Sequence, residues 1–300
     1  MQIQKSFTTH DTGTLYLVGT PIGNLSDMSS RALEVLQEVD VIAAEDTRHT
    51  QLLLNYFDIK NNKTSLHEHN WQEKAPELVQ ELLAGKSIAQ VSDAGLPSIS
   101  DPGKELVAQA IEANVPVVPI PGASAGITAL IASGLVPQPF YFHGFLPRKK
   151  QEQAQALQDL SWRPETMIFY EAPHRLKKTL QNLVEVLGEK RRVVLARELT
   201  KRYEEFLRGT AVEAVQWAEE NDIRGEFVLL VEGRSDGSGV PPKAVADTTD
   251  TSAANPEEAV QALIDQGLKP NAAIKQVAKE NGLNRQDLYK SYHHIEEENG

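Results

Sequence analysis

Three hundred residues carry 30 Lys and Arg against 42 Asp and Glu, a formal net charge of −12, and no Cys. The missing thiols exclude Cys nucleophiles, thiolate metal sites and redox switching, and a chain of this length buries enough surface to need no staples. The acidic balance excludes holding nucleic acid through overall charge, so any such contact has to use a local basic patch.

Residues 1–12 are polar and read as a flexible tail, without the apolar core of a secretory leader. From Gly13 strands and helices alternate. Thr14 to Val18 is an apolar strand, Gly19-Thr20-Pro21-Ile22-Gly23-Asn24 its turn, and Ser29 or Ser30 caps a helix bearing Ala32, Leu33, Leu36 and Val39. Val41 to Ala44 is a second strand, followed by the polar run Glu45-Asp46-Thr47-Arg48-His49 and a helix through Leu52, Leu53 and Tyr56. A weak strand near Ser65-Leu66, a helix from Glu73 to Leu83, and a strand Ser87–Val91 come next. Val115–Ile120 and Ser124–Ser133 complete the set, and the alternation implies parallel strands with right-handed crossovers. The uncharged stretch from Val115 to Pro137 is broken by Pro and Gly, so it reads as strand, turn and helix and not as a membrane span.

Gly134 to Pro139 marks a boundary, giving one α/β domain over 13–135 and a second over 136–233. The second holds strands at Phe140–His143, Thr166–Tyr170, Arg192–Arg197, Glu204–Arg208 and Glu226–Val231, with helices at Gln151–Leu160, Leu176–Leu187 and Ala211–Ala218. A short turn at Arg208-Gly209-Thr210 predicts a mixed sheet. Residues 234–255 have the composition of a linker. Residues 256–300 read as a helix-turn-helix-like module with five Lys or Arg against eight Asp or Glu, too acidic for a basic reader of nucleic acid.

The most informative stretch is Ser92-Asp93-Ala94-Gly95-Leu96-Pro97-Ser98-Ile99-Ser100-Asp101-Pro102-Gly103. It joins an apolar strand to a helix for which Asp101 and Pro102 read as N-cap and first residue. Ligands of open α/β sheets bind at strand carboxyl ends, and Asp93 immediately past this one suits a polar, partly cationic ligand. The turn at Gly19 lacks both the Lys of a P-loop and the third Gly of a dinucleotide fold. Gly122-Ala123-Ser124-Ala125-Gly126 matches the G-x-S-x-G of a serine hydrolase, but Pro116 and Pro119 interrupt its strand. His49, His67 and His69 lack a convincing fourth ligand for a metal site. Local basicity stands out from 148 to 202, through Arg148, Lys149, Lys150, Arg175 and the group Lys190, Arg191, Arg192, Arg197, Lys201 and Arg202.

Seven blocks occur in order: LYLVGTPIGNL from Leu15, EDTRHT from Glu45, SDAGLPSISDPG from Ser92, PGASA from Pro121, FHGFLPRK from Phe142, YEAPHR from Tyr170 and GEFVLLVEG from Gly225. Together they resemble the tetrapyrrole methylase superfamily of S-adenosylmethionine-dependent methyltransferases, and within it the subgroup acting on a ribose 2′-hydroxyl of small-subunit ribosomal RNA. The resemblance covers about Gly13 to Gly233. It implies a two-domain α/β, tetrapyrrole-methylase-like fold with a small C-terminal helical appendage, and a homodimer; the net charge of −12 with only a local basic strip makes the assembled 30S subunit, in the cytoplasm, the expected substrate. The resemblance further implies cofactor contacts at Ile22, Asp93, Leu96, Ser124, Ala125, Tyr170 and Ala196. Where the tetrapyrrole enzymes carry Gly-Asp-Pro this chain has Ser92-Asp93-Ala94, which favours RNA over a porphyrinoid. A hydroxyl nucleophile wants a nearby base. Glu45, His49, Glu171 and Arg175 are the candidates, with His174 beside them, and Arg48, Arg148, Lys149, Lys150 and Arg175 are the candidates for RNA phosphates. A methyltransferase acting on a small molecule or a protein side chain is the alternative.

Overall fold

A computed structural model describes residues 1–234, 256–265, 268–280 and 283–292. Met1–Pro241 form one compact unit and Pro242–Gly300 a second. The linker expected over 234–255 lies, apart from Arg234, outside the described residues. In the second unit, helices over Pro256–Asp265, Pro270–Glu280 and Arg285–Tyr292 close on a small core of Val260, Ala273, Ile274, Val277, Ala278 and Leu288.

The first unit contains two five-stranded sheets. One is built from β1 (Leu15–Val18), β2 (Val41–Ala44), β3 (Lys63–Ser65), β4 (Ile88–Val91) and β5 (Val117–Ile120), in the order β3-β2-β4-β1-β5 and parallel throughout. Alternation along the strands sorts its side chains into two layers. Ile42, Ala44, Ala89 and Val91 pack under α1 (Ser30–Glu38) and α2 (Thr47–Tyr56), whereas Ala43 and Ile88 pack under α3 (Trp71–Leu83) and α4 (Lys104–Glu112). All four residues of β4 are buried, as a central strand covered on both faces requires. The edge strand β5 is blunted by the polar tail: the Gln4 amide accepts from Val117 N and donates to Val117 O, both at 2.9 Å.

The second sheet is built from β6 (Phe140–Phe145), β7 (Thr166–Glu171), β8 (Arg192–Arg197), β9 (Glu205–Thr210) and β10 (Phe227–Val231), in the order β6-β7-β10-β8-β9. It is mixed, with β6 parallel to β7 and every other pair antiparallel. The predicted Arg208-Gly209-Thr210 turn is instead the end of β9. The chain passes from it directly into α8 (Ala211–Glu220) through a capping box between Thr210 and Glu213. One face of this sheet is covered by α6 (Lys150–Leu160), α7 (Pro173–Leu187) and α8. The other face takes α5 (Ala125–Ser133), whose Ala129 and Leu130 pack on Ile168, Val194, Val228 and Leu230. So the helix that follows the last strand of the first sheet covers the second, and the two sheets share it as a joint.

Candidate active site

The carboxyl ends of β1, β2 and β4 and those of β6, β7 and β8 open into one cavity of about 560 Å³. Ile22, Asp93, Leu96, Ser124, Ala125, Tyr170 and Ala196, the seven residues assigned to the cofactor by resemblance, all line it. The turns that carry them are tied together. Thr20 N donates to Gly95 O at 2.9 Å and Gly95 N to Thr20 O at 3.1 Å, joining the turn after β1 to the loop after β4. Gly19 and Gly122 pass so closely that a Cβ on Gly122 would lie 2.9 Å from Gly19 Cα, so neither turn tolerates a side chain there.

The loop after β4 is longer than its sequence pattern predicts. Asp101 and Pro102 do not begin the helix: α4 starts at Lys104, and its N-cap is Gly103 with φ of 122°. The cause is Gln90, buried within β4, whose Nε2 donates to Ser98 Oγ at 2.8 Å. A Cβ on Gly103 would lie 1.8 Å from that nitrogen. Tethered in this way, the loop delivers Asp101 to the cavity wall instead of spending it on a cap.

Among the described residues, five acidic ones line the cavity; Glu45, Asp93 and Asp101 come from the loops of the first sheet, Glu171 and Glu226 from the second. Burial pushes the Glu45 carboxyl above its ordinary value; Asp101, Asp93 and Asp46 add to this, and a hydrogen bond from Asp93 N opposes it. Burial likewise raises Asp101, with Ser92 opposing and Asp93 adding. Asp93 is oriented from outside the cavity: His49 Nδ1–H donates to its Oδ2 at 2.9 Å, and Asp46 N donates to its Oδ1 at 3.2 Å. That hydrogen bond raises the His49 pKa, and the imidazole itself sits on the rim with 65% of its side chain exposed. Tyr170, which lines the same cavity, is fixed by Gly126 N, which donates to its hydroxyl oxygen at 3.2 Å. Ser124 is an ordinary extended N-cap with φ of −138°, and among the described residues no histidine bonds its hydroxyl, so a hydrolase elbow is not formed.

Glu171 and Arg175 are held differently. Glu171 is buried, accepting from Arg175 Nε at 3.1 Å and from Ala172 N at 3.0 Å on one oxygen and from Thr179 Oγ1 at 2.5 Å on the other. Arg175 Nη2 donates in turn to the carbonyls of Leu146, at 2.7 Å, and Pro147, at 3.2 Å. Together they brace the segment that follows β6. Arg48 forms a two-point pair with Asp46, which holds that carboxyl far below the usual carboxylate range. Arg148, Lys149 and Lys150 are exposed where β6 gives way to α6; Lys149 pairs with Glu152 and Lys150 with Glu185, and Arg148 has no acidic partner among the described residues. The group from 190 to 202 is not one strip. It lies at both ends of β8, about 17–20 Å apart, with Arg192 on Glu232 at one end, and Arg197 on Glu205 and Lys201 on Glu198 and Glu226 at the other.

Sequence reasoning missed Asp101, read as a cap, and Phe145 and Ile99, which line the cavity while largely exposed. The Pro-Gly pair after Asp101 is the signal that could have placed the helix start two residues later.

Residues 14–215 match the model of the Tetrapyrrole (Corrin/Porphyrin) Methylases. A Streptococcus pyogenes protein named Ribosomal RNA small subunit methyltransferase I is 52% identical over 296 residues, covering 98% of this chain and all of its own length. A Bacillus subtilis protein of the same name is 50% identical over 283 residues, covering 94% of this chain and 95% of its own. Among solved structures, a uroporphyrin-III C-methyltransferase from Thermus thermophilus, complexed with S-adenyl homocysteine, superposes with a TM-score of 0.51 at 18% identity. It covers 73% of this chain and 97% of that one, a likeness of fold. No helix among the described residues is long and apolar enough to cross a membrane. With an ordered set of motifs, two sheets meeting at one cavity and relatives at half identity along nearly their whole length, the chain belongs to the tetrapyrrole methylase family.

Proposed function

We propose that this chain transfers the methyl group of S-adenosylmethionine to the ribose 2′-hydroxyl of a cytidine in small-subunit ribosomal RNA, acting in the cytoplasm on the assembled 30S subunit. The observation that supports this most is the gathering of Glu45, Asp93 and Asp101 in a largely apolar cavity, in a chain 52% identical to a ribosomal RNA methyltransferase over its length. Three carboxylates in a half-buried space repel one another, and a cationic ligand relieves that repulsion. S-adenosylmethionine fits this requirement. Asp93 would meet its positive charge, and Ile22, Leu96, Ala125 and Ala196 would give it apolar walls. When bound it supplies an electrophilic methyl on a sulfonium.

The remaining work falls to the protein. Holding a hydroxyl in line with its target contributes up to about 7–11 kcal/mol in favourable systems. Glu45 is the group assigned to take the hydroxyl proton, because it lines the cavity, is half-buried and is raised in pKa by burial and by its acidic neighbours. His49 orients Asp93 from the rim. Glu171, which also lines the cavity, and Arg175 act as a brace, with both Glu171 oxygens and Arg175 Nε and Nη2 bonded within the protein, and are assigned neither proton transfer nor phosphate binding.

Phosphate contacts are assigned to Arg148, Lys149, Lys150 and Arg48. Exposed pairs such as Lys149–Glu152 hold weakly and exchange readily for phosphate. Reversing Arg148, Lys149 and Lys150 to Glu is expected to lower methylation of 30S subunits at least ~100-fold at physiological salt, with unchanged S-adenosylmethionine binding by calorimetry. Undiminished methylation by this variant would move the RNA to another face.

A homodimer is part of the same proposal. The nine residues of α5 include no charged side chain, a composition suited to burial all round, yet Ile127 and Ile131, one turn apart, face outward with Ile131 76% exposed. Sedimentation should show a dimer that Ile131→Glu dissociates; a wild-type monomer would contradict the proposal.

A further inference from the structure

We infer that Phe145 is the stacking platform for the base of the target nucleotide, an inference that rests on the RNA-methylating reading above. It begins with an irregularity in β6. Phe140, Tyr141 and Phe142 pair in step with Thr166, Met167 and Ile168 of β7, but the next pairs are Gly144 with Phe169 and Phe145 with Tyr170. His143 is left over as a bulge. In an unbroken ladder Phe145 would stand opposite Glu171 and turn toward the buried layer that contains Phe169. The extra residue returns it to the face of Phe142, Ile168 and Tyr170, which is the cavity face. Gly144 makes this possible with φ of 79°, a conformation that other residues adopt only with strain.

The bulged His143 stays against the core, its ring centroid 5.4 Å from that of Phe169. The bulge leaves Phe145 55% exposed on the cavity wall, with Ile99, 65% exposed, as a second apolar side chain of the same wall. Bulges beside active sites re-aim side chains, and here the side chain delivered is an aromatic ring with water over much of its surface. The ring is held from behind. Its centroid is 5.7 Å from that of Tyr170 in an edge-to-face contact, and Tyr170 makes a second such contact with Phe142 at 5.1 Å. Tyr170 is itself pinned by Gly126 N, and the Leu146-Pro147 segment that follows Phe145 is pinned by Arg175. A backed, half-exposed aromatic is what an unstacked base requires, because every base has a π-face to offer it.

Position completes the argument. Three residues beyond Phe145 stands Arg148, exposed and without an acidic partner among the described residues. The cavity that Phe145 lines is lined also by Glu45, Asp93 and Asp101. A nucleotide with its base on Phe145 and a flanking phosphate on Arg148 would place its ribose in the cavity that these carboxylates line. Stacking orients such a nucleotide without choosing its base, so Phe145 is a positioning residue.

The test compares Phe145→Ala, Phe145→Leu and Phe145→Tyr with the wild type on 30S subunits that lack the modification. It measures kcat/KM for methyl transfer, subunit affinity by filter retention, and S-adenosylmethionine affinity by calorimetry. Loss of one base–aromatic stack is expected to lower kcat/KM and subunit affinity in the Ala and Leu variants by about 5- to 150-fold, with Phe145→Tyr close to wild type and S-adenosylmethionine affinity unchanged in all three. Wild-type efficiency in Phe145→Leu would overturn the inference, since only an apolar wall would then be needed. So would a loss in Phe145→Ala matched by an equal loss of S-adenosylmethionine affinity. If the wild type itself labels no ribosomal RNA, the functional reading fails and the platform with it; a wild-type reaction indifferent to Phe145 removes the platform alone.

Discussion

Replacing Glu45 by Gln is expected to slow methyl transfer to 30S subunits by about 10²–10⁴-fold, the range for loss of a positioned general base, while the protein stays folded. The amide keeps the shape and hydrogen-bonding reach of the carboxyl but cannot take a proton. The pH dependence supplies the sign. The Glu45 pKa is raised, and only its deprotonated form accepts the hydroxyl proton, so wild-type activity should fall as pH drops through that raised value. Glu45→Gln should lack this acidic limb. Removing Asp101, a neighbour that raises Glu45, should shift the limb to lower pH. Rates across a pH series with saturating S-adenosylmethionine give both readings. A Glu45→Gln enzyme with wild-type rate and an unchanged limb would assign the proton to another group.

Asp93→Ala is expected to weaken S-adenosylmethionine binding by about 10- to 100-fold, corresponding to a hydrogen bond made with a charged group, about 1.5–3 kcal/mol. The side chain is partly exposed and sits in a loop, so the fold should survive, with melting close to wild type. The variant carries an internal check that binding alone does not. Asp93 is the principal cause of the raised His49 pKa, so a titration followed by NMR should show that pKa falling toward its ordinary value. Unchanged ligand affinity together with a shifted His49 would show that Asp93 serves the rim and not the ligand.

Much of this architecture was legible because strands in a parallel sheet are short, apolar and punctuated. Val91 is followed by Asp93 and Gly95, and Ile120 by Pro121 and Gly122, so the strand ends and the turns that face the cavity announce themselves. Side-chain competition was not legible. Asp-Pro before an apolar helix reads as a cap, and only a Gln buried two strand positions before Ser92 in β4 explains why the helix starts later. Glu171 and Arg175 look like free ionisable groups at a strand end, but Glu171 at the end of β7 and Arg175 in the first turn of α7 pair with each other. The basic group at 190–202 is contiguous in sequence and divided in space because β8 runs through it. The bulge at His143 leaves a trace only in Gly144, one glycine among 19.

The most direct measurement incubates the protein and isotope-labelled S-adenosylmethionine with unmethylated 30S subunits, and in parallel with a protein-free transcript of the same RNA at equal concentration. The labelled nucleoside is then identified by mass spectrometry. The chain's net charge of −12 and its small basic surface call for a target already folded into a fixed pose. The expected product is therefore 2′-O-methylcytidine from the subunit and little from the transcript. Label on a base or on protein, or a transcript methylated as well as the subunit, would contradict it.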